Sequence, residues 1–199
     1  MQVPADVVDA LVGVTPGSPL DAVRARRSEA RKQAQTSWRA LFEPADASHM
    51  SVLERCAVAR FVALLHGRSE TAAFYAARLV EAGATTALAA AIEAEAAAAP
   101  RQGPYGAYPP GPLSCEDAPG AVWQATSAGR TALGARLAAA LEHVHMLVFH
   151  PRDAAAPALQ ALYDAGWSTT GIVTLSQLVA FLSFQIRLVA GLRALAGRS

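Results

Sequence analysis

The chain has only two cysteines among its 199 residues, Cys56 and Cys115, far apart in sequence and in no CxxC or other close pair. That excludes dithiol chemistry by adjacent thiols and a disulfide framework, and free thiols of this kind suit a reducing compartment. Charge of one sign is also missing. The formal net charge is +1 and charged residues make up 17% of the chain, so no overall field recruits nucleic acid or an anionic membrane. Long uncharged apolar runs are scarce as well: Glu93 and Glu95 interrupt the Ala-rich stretch, and Ser176 and Gln177 the last apolar one. On that pattern no run reaches the roughly 18 residues of a membrane span. The opening MQVPADVVDA carries acidic residues where a secretory signal would be basic, which predicts a cytoplasmic protein.

What is present favours helix. Hydrophobic residues make up 53% of the chain, Ala far outnumbers the aromatics, and strand-like alternation is rare, so the fold class expected is all-α in a single domain, 1–199. A short apolar segment at Val7 to Val12 ends in GVTPGSP, after which Ser18 and Pro19 open a helix expected over Leu20 to Phe42. Val23, Ala30, Ala34, Trp38 and Leu41 are its expected inner side. Arg24, Arg26, Arg27, Arg31 and Lys32 read as a solvated face rather than a phosphate site, because Glu29 interrupts them and no aromatic interleaves.

Ser51 with Glu54 three residues on is a capping box, and the helix it starts is apolar almost all round to His66, which places it at the centre of the fold. Gly67 separates it from a helix over Ser69 to Glu81, and an Ala-rich helix follows to Ala99. Residues 100–120 hold six prolines and four glycines and are expected to form a loop, which at this length covers a site, pads an interface or is mobile. A long helix over Ser127 to Phe149, a shorter one over Ala154 to Ala165, and a last apolar helix capped by Ser168 or Thr169 complete the chain.

The histidines give no metal ligand set. His143 and His145 diverge by about 200° on a helix, and His143 and His150 lie roughly 10 Å apart along it. His143 is expected at the edge of a core stripe, His145 on the surface, and His150 at the helix end. No metal or other cofactor is expected.

The densest group of polar side chains beside buried helix is Glu54, Cys56, His66, Arg68, Glu70, Thr71 and Tyr75. The stretch SVLERCAVARFVALLHGRSETAAFYAARLVEAG that holds them resembles the core motif of the carboxymuconolactone decarboxylase and alkylhydroperoxidase D superfamily, a helix with a Glu, then CxxC, then a His. Laid on its peroxidase-related branch, Arg68 and Thr71 stand where the two cysteines belong, Tyr75 at the histidine and Cys56 at the glutamate. The framework agrees: Glu54-Arg55, the apolar run to Leu65, Gly67, and AARL after Tyr75. LQALYDAGWSTTGIVTLSQLVAFLSFQIRLVAGL resembles the branch's C-terminal segment, including Phe181, Phe184, Arg187 and Gly191, and the two matches cover about a third of the chain.

The resemblance implies an alkylhydroperoxidase D-like helical bundle with an extra N-terminal helix, a homo-oligomer, and kinship with proteins of oxidative stress. Active members use Glu and His to relay protons while one Cys attacks peroxide and the other resolves it, steps that Arg68 and Thr71 cannot perform. Three functional readings follow. One is a peroxidase-related protein without the dithiol, binding a small molecule at the altered site. A second is an acid-base enzyme acting on a small acid or lactone through His66, Glu70 and Tyr75, as in the decarboxylase branch. The third is a non-catalytic oligomeric binding or regulatory protein. Cys56 is the candidate lone thiol, and the charge of Arg187, in an otherwise apolar helix, must meet a carboxylate, a backbone carbonyl or a ligand anion, with Glu54 its expected partner.

Overall fold

The computed structural model describes residues 4–197, and among these the chain is helical with no strand. The elements are α1 (Val7–Val12), α2 (Pro19–Ala25), α3 (Ser28–Phe42), α4 (Val52–Leu65), α5 (Ser69–Glu81), α6 (Thr86–Ala98), α7 (Ser127–Phe149), α8 (Ala156–Asp164) and α9 (Thr169–Ala196). Helix starts follow local chemistry. Side chains of Ser18, Ser51, Thr85, Thr126 and Ser168 each accept a first-turn backbone N–H, and Glu54 returns a bond to the Ser51 backbone.

Helix α4 lies at the centre, packed against α5, α6, α7 and α9. Cys56, Ala57, Val58, Ala59, Phe61, Val62 and Ala63 on it are fully buried, as expected of a helix apolar on all sides. Its one buried charge, Arg55, is satisfied by main chain: Nε donates to the Met50 carbonyl and Nη1 to that of Leu41, both at 2.9 Å. These bonds fix the end of α3 to the start of α4. Trp38 and Phe42 then stack towards Tyr75 of α5, with centroids 5.3 and 5.2 Å apart.

The N-terminal region corrects two expectations. The helix expected over Leu20 to Phe42 breaks at Arg26-Arg27 into α2 and α3, so Val23 and Ala30 are exposed while Ala34, Trp38 and Leu41 stay inside. Arg24 is not solvated but only 6% exposed: Nε donates to Asp9 and Nη2 to Asp6, both at 2.8 Å. Arg31 joins the same acidic group through Asp9 and Asp21. Arg26, Arg27 and Lys32 do face solvent.

Helix α7 turns at Gly134, whose φ of +76° with ψ of 155° is open to glycine and strained for other residues. Beyond the turn, α7 is enclosed on several sides. His145, expected at the surface, is 1% exposed, because the 100–125 connection folds back over it: Nε2 bonds the Pro100 carbonyl at 2.9 Å and Trp123 packs on the ring. By length and mean hydropathy α7 and α9 would suit a membrane span despite their polar interruptions, but 56% and 44% of their most apolar stretches are buried in the bundle.

Candidate functional site

The cluster singled out in the sequence divides into a sealed interior and a surface. Cys56, Thr71 and Tyr75 point into the core, at 0%, 2% and 0% exposure. Burial pushes the Cys56 thiol up to about 11, against a weaker opposite pull from Arg78, so the thiolate that peroxide chemistry needs is disfavoured. Burial likewise raises the Tyr75 phenol above its ordinary range. Its hydroxyl donates to Gln185 Oε1 on α9 at 2.5 Å, which fits a filled core rather than a proton relay.

Glu70 and Arg68 face solvent. Arg68 is the residue before α5. Glu70, in the first turn, is held below the usual carboxylate range by its own backbone N–H and by Arg193, whose Nη1 lies 2.5 Å from Oε1. His66, Glu70 and Tyr75 therefore do not converge: one lies at the end of α4, one outside, one in the core.

The expected pairing of Glu54 with Arg187 does not form. Glu54 accepts from Arg136 Nε at 2.7 Å, and the same guanidinium donates to the carbonyls of Gly166 (2.5 Å) and His49 (2.9 Å) while lying 4.0 Å over the Trp167 ring. The turn at Gly134 sits just ahead of Arg136, inside the stretch expected as one continuous helix over Ser127 to Phe149. Arg187 is exposed and, among the described residues, forms no ion pair; Nη1 reaches only the Ser183 carbonyl of its own helix, at 3.3 Å.

Arg187 instead borders a cleft of about 690 Å³ between α9, the end of α7 and the Gly103-Pro104 segment, and His66 is part of its wall. Ser176, Val179, Ser183 and Arg187 line it from α9 at spacings of three or four residues, one face of the helix. Leu147 and Phe149 of α7 add an apolar wall. That periodicity is readable in the sequence, but which elements stand opposite it is not.

His66 ends α4 and is half-buried, with Nε2 sealed and without a hydrogen-bond partner among the described residues, so Nδ1 is the nitrogen left for an occupant. Desolvation lowers its pKa from 6.5, and the positive charges of Arg187 and Arg68 lower it further. The cleft thus combines an apolar wall, two serines, a neutral imidazole and a guanidinium without a counter-ion among the described residues. Among the described residues no three His, Cys, Asp or Glu side chains converge as a metal site would require.

Comparison with protein-family models, with curated proteins and with solved structures gives no match.

Proposed function

We propose that this protein binds a small organic acid in the cleft beside His66, on a bundle related to the alkylhydroperoxidase D group but without its thiol chemistry. The observation that carries the reading is Arg187, a guanidinium with no carboxylate partner among the described residues, bordering a cleft with an apolar wall and a His66 whose pKa is lowered by desolvation and then by positive charge. A carboxylate answers both polar groups, and its hydrocarbon part suits Val179, Leu147 and Phe149. The kinship rests on the resemblance of the two sequence segments that contain His66 and Arg187. A homo-oligomer belongs to the same kinship. Burial of Cys56 and Tyr75 and the outward turn of Glu70 favour binding over either peroxidase or acid-base catalysis at these positions.

Titration with benzoate tests the reading. Binding is expected to weaken by about tenfold or more in Arg187→Leu, the worth of one charge-assisted hydrogen bond. Affinity should rise as pH falls below 6.5, because the bound anion favours protonated His66. Benzoate affinity that is equal in the variant and flat with pH would remove the cleft as an anion site. Peroxide consumption by the parent that is lost in Cys56→Ser would restore the peroxidase reading.

A further inference from the structure

A second pocket, of about 380 Å³, lies on another face of α7, beneath α8 and the Val122–Gln124 segment. Its walls are largely apolar, formed by Trp123, Ala139, Met146, Pro157 and Ala158. Three titratable groups on the wall are already satisfied by protein. Glu142 Oε1 accepts from Ala125 N at 2.8 Å and from Arg130. Asp153 accepts from Ala107 N at 2.9 Å and from His150 Nδ1 at 3.0 Å.

His143 is different. It lines the same pocket and is 7% exposed, yet it has no hydrogen bond among the described residues, and its Nδ1 is sealed without a partner. A buried polar group left this way requires an explanation. A buried N–H without a partner is costlier than an unused lone pair, so the neutral ring carries its proton on Nε2. With Nδ1 closed off, that Nε2–H is the donor available to a pocket occupant.

The matching group is therefore an acceptor, and charge decides which. Glu142 and Asp153 both border the pocket and Arg130 answers only one of them, so an anionic acceptor is disfavoured. We propose that this pocket binds an uncharged, mostly apolar carbonyl compound whose oxygen accepts from His143 while its hydrocarbon part rests on Trp123 and Met146. The volume lies in the range of small-molecule sites. The proposal is independent of the anion cleft.

The test compares 2-acetylnaphthalene with 2-ethylnaphthalene, which has nearly the same shape and no acceptor, by calorimetric titration of the full chain. The ketone is expected to bind about five- to tenfold tighter, the worth of one neutral hydrogen bond. His143→Phe should abolish that preference and leave the hydrocarbon's affinity, whereas His143→Gln, which keeps a donor, should retain part of it. Ala158→Trp should fill the pocket and weaken both probes by tenfold or more. Equal binding of the two probes, a preference that survives His143→Phe, or no binding of either overturns the proposal. If the His143 variants do not fold, the α8 variant still decides: unchanged ketone affinity in Ala158→Trp places the ligand elsewhere.

Discussion

The Tyr75 hydroxyl donates to Gln185 across 110 positions of sequence and joins α5 to α9 inside the buried core. The bond occupies the place where the sequence resemblance puts a histidine. Among the described residues Gln185 Nε2 has no partner of its own, so the amide depends on this one contact. Tyr75→Phe leaves the whole amide unpaired and should cost about 1–3 kcal/mol. Tyr75→Phe combined with Gln185→Leu removes both polar partners and should recover most of that loss, a coupling that a double-mutant cycle in urea measures. If the double variant is as unstable as the sum of the singles, the pair does not act as a unit.

The two thiols differ sharply in burial. Cys56 is fully enclosed, while Cys115 is exposed in the Pro-rich connection. Native protein should consume one equivalent of an aromatic disulfide reagent quickly, and a second only in denaturant. Cys115→Ser should remove the fast equivalent. A rapid second equivalent in that variant would show Cys56 to be reachable and reopen a thiol role for it.

Local signals in the sequence specify the helix starts capped by Ser18, Ser51 and Ser168 and the irregular 100–120 connection, because caps, prolines and glycines act within a few residues. What they miss is long-range. The break at Arg26-Arg27 has no glycine or proline to announce it, but it lets Arg24 and Arg31 share Asp6, Asp9 and Asp21. His145 is covered by a segment with no periodicity, so the phase of α7 alone put it outside. Of the eight candidate site residues, His66 and Arg187 meet in one cleft, while Glu54 takes Arg136, 82 positions away. An Arg offers five donors in a rigid fork, and no spacing rule tells which carboxylate or carbonyl it will find.

Arg136 should accordingly matter more for stability than an ordinary surface cation. Its side chain is 35% exposed, which discounts the ion pair, but two carbonyls and the Trp167 face remain. Arg136→Met should cost about 2–3 kcal/mol, and Arg136→Lys nearly as much, since an ammonium cannot span three acceptors in a plane. Urea unfolding followed by tryptophan fluorescence checks both. A loss below about 0.5 kcal/mol in either variant would mean that the fork is not formed in solution.

Three histidines set the acid limb of stability. Desolvation lowers the pKa of His66, His143 and His145 from 6.5, with Arg187 and Arg68 adding to the effect at His66. The unfolded chain then binds more protons than the native one once pH falls below 6.5, so unfolding becomes easier as the solution is acidified. The exposed carboxylates Asp21 and Glu70, also lowered, add a loss of the same sign only as pH approaches their ordinary values of 3.8 and 4.5. Between pH 7 and 5 the histidines therefore dominate. The urea midpoint should fall over that interval and reach a slope near zero only where all three rings are charged in both states. His143→Phe keeps an aromatic ring in the same space and removes one titrating group, so its midpoint should change less with pH than the parent's. A parent midpoint that stays level from pH 7 to 5 would show that these rings exchange protons as freely in the folded chain as in the unfolded one.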